Sequence, residues 1–357
     1  MGNNVETKST LELEHKMQNY VQGKTPINKT NIYLFVYESY VPYETMLGYG
    51  FDNSSQIEFI SGQGFKVYPN IYSIGRLSLE SMSRVLNAST DTFGRSRRAV
   101  SGDGVVQNIL KNVGYETYGI FYSDYMFRGI GSSYDSSLPQ YNYRSDVLLL
   151  SAILMGEFTF DLGCDYIPYD QYIETKRNIP LAKSTFPKFV YTHNAYPGHS
   201  QNSGVCRPNE TDLYFEGVKK ANLEMKQDIE ILINNDPDAI IIVAGDHGPY
   251  LTKNCKGTGN EYNIAEITRL DIQDRFGTFL AIRWPTEEYE IYDDITVLQD
   301  LFVSIFAYMY EDPTILKFKI EPEIVKSNRS GISGVSVNNG IIIGGINDGE
   351  PLFLLDN

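Results

Sequence analysis

Buried strands and one-sided helices alternate along this chain. Residues 31–37 (NIYLFVY) form a continuous apolar run rich in aromatic and β-branched residues, which predicts a central strand covered on both faces. Residues 115–122 (YETYGIFY), 188–192 (KFVYT), 239–244 (AIIIVA) and 276–282 (FGTFLAI) read as further core strands. Helical spacing predicts helices over 78–87, with Leu79, Met82, Val85 and Leu86 on one side, over 105–112, over 145–155 and over 297–310. The longest helix is marked by Tyr214, Val218, Ala221, Met225, Ile229 and Leu232 and is ended by the sequence Asn234, Asn235, Asp236, Pro237. Strand 188–192, a loop over 193–208 with two histidines, this helix and strand 239–244 make a βαβ crossover, whose usual product is a parallel sheet. Residues 9–22 predict a short amphipathic helix (Leu11, Leu13, Met17, Tyr20) that reads as a lead-in rather than core. Residues 124–144, rich in Gly, Ser and Tyr, read as a long loop. The glycine-punctuated tail, 330–357, predicts a hairpin around strand 341–343.

Composition narrows the class. Of 357 residues, 42% are hydrophobic and 21% charged, which excludes a disordered chain. Lys+Arg number 30 against 45 Asp+Glu, and a net charge of −15 disfavours nucleic acid as a partner. The longest strongly apolar run, 147–155, is interrupted by Ser151 and is too short to span a bilayer. The N-terminus has no basic n-region and no apolar h-region, so it is not read as a signal peptide. Two settings are consistent with that: the cytoplasm, or attachment through a membrane segment outside this chain. Three cysteines, Cys164, Cys206 and Cys255, fit neither a disulfide scaffold nor a zinc pattern. There are only four histidines, His15, His193, His199 and His247, so few positions can carry imidazole chemistry.

Three points converge on chemistry. Glu38 follows one buried strand, and Asp246 with His247 follows another, at the strand ends where open α/β sheets place their ligands. Two carboxylates and an imidazole suit a borderline divalent metal. Ser78 opens a helix three positions after Gly75, where the positive end of the macrodipole and a metal would both favour its alkoxide.

In this order, strand-Glu, helix-opening Ser, His-containing loop and strand-Asp-His-Gly, the chain resembles the sulfatase/alkaline-phosphatase superfamily over roughly 31–285. It is most similar there to lipoteichoic acid synthases and lipid A phosphoethanolamine transferases of bacteria. The resemblance implies an α/β fold, a doubly wound sandwich of the alkaline-phosphatase type with a mostly parallel central sheet. It divides the chain into a polar lead-in (1–30), a catalytic domain (31–310) and a small C-terminal subdomain (311–357). It implies one divalent metal, Zn²⁺ or Mn²⁺ with Mg²⁺ as a further option, held by Glu38, Ser78, Asp246 and His247. Ser78 would be the nucleophile, with Ser73 and Ser81 as fallbacks. His199 would hold the phosphate, and His193 would support the site or serve the leaving group. The implied activity is transfer of a phosphoethanolamine or phosphoglycerol group from a phospholipid-type donor to a cell-envelope glycan or lipid. The setting would be the extracytoplasmic, periplasmic side of a bacterial envelope, with the membrane close by.

The chain also departs from the family's patterns. Glu80 and Met82 stand where arylsulfatases carry Pro and Arg, so that aldehyde-forming motif is absent. No histidine follows His247, which leaves the leaving-group acid and the acceptor open. A phosphodiesterase, phosphatase or sulfatase-like hydrolase using water is the alternative, and a non-catalytic polysaccharide-binding module is the second. Cys206 and Cys255 lie a few positions after His199 and His247. If both histidines converge on one metal, a Cys206–Cys255 disulfide is expected, with Cys164 free.

Overall fold

The computed structural model describes residues 16–94, 96–140, 164–200, 207–252, 263–324 and 334–355. Its core is a seven-stranded sheet in the order β2-β7-β6-β1-β5-β3-β4. The strands are β1 (Ile32–Tyr37), β2 (Lys66–Tyr68), β3 (Glu116–Phe121), β4 (Ser136–Leu138), β5 (Lys188–Asn194), β6 (Ile240–Ala244) and β7 (Leu280–Arg283). β6, β1, β5, β3 and β4 run parallel, and β7 lies antiparallel between β6 and β2. The sheet is therefore mixed but mostly parallel.

Period-two alternation gives each face its own core. Ile32, Leu34 and Val36 of β1 face one cluster, and Tyr33, Phe35 and Tyr37 the other. Phe189 and Tyr191 of β5 share the first face, Val190 the second. The first face is covered by α1 (Lys16–Val21), α4 (Ser78–Asn87), α5 (Val105–Asn112) and α9 (Leu301–Tyr310). The second is covered by α2 (Tyr43–Gly48), α3 (Ser54–Gly62), α6 (Tyr169–Asn178) and the long α7 (Glu210–Asn235). A last helix, α8 (Arg269–Phe276), packs with a small sheet of β8 (Glu323–Ile324), β9 (Ser336–Asn338) and β10 (Ile341–Ile343) around a third cluster.

Helices 78–87 and 105–112 lie where the apolar spacing puts them. Other elements differ from expectation. β5 runs on through His193 and Asn194, because β1 offers two more partners in register, Val36 and Tyr37. His193 is therefore on a strand, not in a loop. The segment 124–144 contains β4, an edge strand held by backbone bonds with little apolar signal of its own. In 276–282, Phe276 ends α8 and only the last part joins the sheet, as β7. The 297–310 helix begins with a 3-10 turn, Leu298–Asp300. Met17 and Val21 are buried in the first core, and the N–H groups of Ile27 and Asn28 donate to Met309 O. That part of the lead-in is packed, not solvated. The predicted helix 145–155, along with His15, Cys206 and Cys255, lies outside the described residues. Cys164 is free.

On the second face a charged hub sits below the carboxyl ends of the strands. The Lys176 ammonium, fully buried, lies 2.6 Å from Asp228 Oδ2 and 2.7 Å from Asn194 Oδ1. Arg177 Nε and the Tyr37 hydroxyl also donate to Asp228, at 2.8 and 2.9 Å. Removing one partner of such a group strands the others' charge. Asp228→Asn, which keeps the shape and removes the charge, is expected to lower unfolding free energy by about 3–5 kcal/mol. Urea unfolding of the variant checks this; a loss of under roughly 1 kcal/mol, the scale of an exposed pair, would rule out a strongly coupled hub.

Candidate metal centre

Three adjacent strands deliver the candidate residues to one point. β1 is the middle strand, and the chain leaves it at Glu38, whose N–H donates to Asn194 O at the end of β5. Ser39 follows in the left-handed region, φ 58°. This turn sends its N–H across to Asp246 Oδ1, 2.8 Å away. A non-glycine residue held there carries strain that neighbouring structure must over-determine. Asp246 and His247 leave β6 through Gly245, where a Cβ would lie 2.0 Å from Tyr40 O, so no side chain fits.

Ser78 is the first residue of α4 and is 8% exposed. Its Oγ lies 3.2 Å from Glu38 Oε1, 3.1 Å from Glu38 Oε2 and 3.2 Å from His247 Nε2. Gly75 supports this placement. A Cβ on it would meet Ser81 N at 2.5 Å, so the loop lies flat against the first turn of the helix. Ser73 and Ser81 are held in the interior: their hydroxyls bond each other at 2.7 Å, and Gln299 Nε2 donates to Ser73.

Glu38, Asp246 and His247 each offer a ligand atom within 4.8 Å of the others. Asp246 is fully buried. Its Oδ1 accepts from Ser39 N and His247 N, but Oδ2 has no hydrogen-bond partner. A buried carboxylate oxygen left so is costly, and a cation satisfies it. His247 Nδ1 lies 2.8 Å from Gly248 O. A carbonyl only accepts, so Nδ1 carries a proton, and Nε2, turned into the cluster, is the nitrogen on which a metal would replace the second proton. Two carboxylates and one neutral imidazole therefore fit a divalent metal of the zinc or manganese kind.

Electrostatics agree with this. Burial pushes the Glu38 carboxyl up, but hydrogen bonds and charge from His193 and His247 outweigh it and hold it well below the usual range. Burial pushes both imidazoles down, yet Asp246 and Glu38 beside them raise each to about 9. The acids thus gather positive charge where a metal would supply it.

His193 lies inside the cluster, its Nε2 2.8 Å from Glu38 Oε2 and 3.5 Å from Asp246 Oδ2. His199 is half-buried beside the cluster, its ring centroid 6.1 Å from that of His247. Its Nδ1 bonds Ser200 O at 2.7 Å, which leaves Nε2 open. Sequence reasoning missed Ser39, Tyr191 and Tyr250. Tyr250 stacks on His247 (5.3 Å, 6°), with the Arg275 guanidinium 3.8 Å over the same ring. Only adjacency to Glu38 and His247 could have flagged Ser39 and Tyr250.

No protein-family model matches the sequence, and no curated protein matches it. Solved structures do. A protein in the alkaline phosphatase superfamily from Vibrio parahaemolyticus matches over 96% of this chain and 86% of its own, with a TM-score of 0.53 at 13% identity. The C-terminal periplasmic domain of phosphoethanolamine transferase EptC from Campylobacter jejuni matches over 82% and 96%, at 0.49 and 11%. That of EptC from Escherichia coli, in complex with Zn, matches over 80% and 84%, at 0.49 and 13%. The Vibrio likeness shows the fold: this chain has the alkaline-phosphatase-superfamily architecture.

Proposed function

We propose that this chain is a metal-dependent transferase. It moves a phospho-substituent of the phosphoethanolamine or phosphoglycerol type from a phospholipid donor to a cell-envelope glycan or lipid. The observation that carries this reading is the Ser78 hydroxyl, at a helix N-terminus and 3.1–3.2 Å from both Glu38 and His247. Glu38, Asp246 and His247, with Ser78, would hold the metal. When bound, the metal lowers the hydroxyl pKa and neutralises charge on phosphoryl oxygens.

The chain's own residues then do the following. Ser78 Oγ gives its proton to solvent and forms a bond to phosphorus, while the bond from phosphorus to the lipid alkoxide breaks and that alkoxide takes a proton from solvent. The N-terminal N–H groups of α4 favour the serine alkoxide before attack. His199 Nε2, beside the cluster, holds a non-bridging oxygen. In the second step the acceptor oxygen bonds phosphorus and gives its proton to solvent, while the bond from phosphorus to Ser78 Oγ breaks and Oγ takes a proton from solvent. Glu38, held ionised by the imidazoles beside it, and Asp246 are the carboxylates that would retain the cation. Action on a lipid donor places the enzyme at the extracytoplasmic face of an envelope membrane; among the described residues no helix is long and apolar enough to cross one.

The test is ³¹P NMR of metal-loaded protein with phosphatidylethanolamine or phosphatidylglycerol micelles, with and without a glycan acceptor. Donor consumption that needs both metal and acceptor is expected, with a phospho-adduct on the Ser78 peptide by mass spectrometry. Equal consumption without acceptor would make the protein a hydrolase. An adduct on another residue would remove Ser78 from the mechanism.

A further inference from the structure

We infer that Tyr191 and His193 form a donor relay that fixes the orientation of Glu38, so that His193 is a positioning residue and neither a metal ligand nor a leaving-group acid. Residues two apart on a strand share a face, so Tyr191 and His193 of β5 both point toward the α4 side. The Tyr191 hydroxyl is buried and lies 2.9 Å from His193 Nδ1, its hydrogen-bond partner among the described residues. A phenol is a donor that must be met when buried. Nδ1 is the acceptor in reach, and an imidazole that accepts at Nδ1 keeps its proton on Nε2. A doubly protonated ring carries a proton there as well. Only the tautomer protonated at Nδ1 alone would free Nε2 for a metal, and it would leave the Tyr191 O–H pointing at another N–H.

His193 Nε2 therefore donates, and its acceptor is Glu38 Oε2 at 2.8 Å. That engages one carboxylate oxygen. The other, Oε1, is left facing His247 Nε2 at 3.2 Å. The two imidazoles thus hold opposite roles set by what lies behind them. A carbonyl behind His247 takes its Nδ1 proton and leaves Nε2 as the nitrogen a metal would bind; a hydroxyl behind His193 makes its Nε2 a donor. Orienting partners of this kind are a recurrent support of metal-binding carboxylates and imidazoles.

The effect on turnover rests on the transferase reading, but the proton positions do not. Long-range ¹H–¹⁵N correlation of the zinc-loaded protein reads each ring directly, and four histidines keep the spectrum assignable. A protonated Nε2 on His193 beside an unprotonated Nε2 on His247 is expected; an unprotonated His193 Nε2 would overturn the relay. Tyr191→Phe removes one oxygen and keeps the packing. It should shift the His193 Nδ1 resonance as that nitrogen loses its phenol donor, keep the zinc, and, in the ³¹P assay with acceptor, lower kcat about 10–100-fold with KM for the phospholipid donor unchanged. An unshifted Nδ1 resonance in that variant sinks the proposal. His193→Gln, which keeps a donor at similar reach, should retain zinc and outperform His193→Ala; zinc loss from the Gln variant would make His193 a ligand. If the wild type consumes no phospholipid donor with acceptor present, the transferase reading fails, while the spectrum and the zinc content still decide the relay.

Discussion

Asp246→Asn is expected to strip the protein of its metal and its turnover together. The substitution barely changes shape. Oδ1 or its replacement still sits near the Ser39 and His247 N–H groups. The buried oxygen without a partner is the one that matters. As an amide this position loses its charge, and when its NH₂ takes the Oδ2 place it presents a donor to the cation. Affinity should then fall by more than the roughly 10–100-fold seen when only a supporting partner is lost. Metal analysis after gel filtration, paired with the ³¹P assay, reads both quantities. Full metal content with full turnover in this variant would remove Asp246 from the centre and leave the cluster a structural ion network.

Ser78→Ala should separate what Asp246→Asn joins. Glu38, Asp246 and His247 remain, so the metal is expected to stay near wild-type stoichiometry. The hydroxyl that forms the bond to phosphorus is gone, and kcat should fall by at least about 10³-fold. Stability should change little, because the Ser78 hydroxyl bonds Glu38 and His247 rather than capping the helix it opens. Retained turnover would shift the nucleophile to water, since Ser73 and Ser81 are tied to each other in the interior.

The central strands were readable because both faces of β1 and β6 are covered, which forces unbroken apolar runs. Helix α7 was readable from one apolar stripe, yet Asp228 on that same buried side was not, since a lone acid carries no sign of the Lys176 it meets. β4 was hidden because an edge strand held by backbone bonds needs no apolar side chains. Glu38, Asp246 and His247 stood out through their place after strands, and Ser78 through its place at a helix start. His193 reads as a loop residue because its polarity masks a strand continuing in register with β1. Tyr191 looked like core, which it is; its hydroxyl acquires a role only once His193 is on the same face.

Strand order also sets when the centre can exist during folding. Glu38, His193 and Asp246 come from β1, β5 and β6, neighbours in the sheet but far apart along the chain. Nothing local brings any two of them together, and closing such long loops comes before the contacts that reward it. The first two-thirds of the chain, as it leaves the ribosome, would hold Glu38, Ser78 and His193 without the acid that completes the cluster. Metal capture is thus a late event, which follows insertion of β6 beside β1 and cannot template the sheet. In a refolding experiment, added Zn²⁺ should slow unfolding and leave the folding rate unchanged.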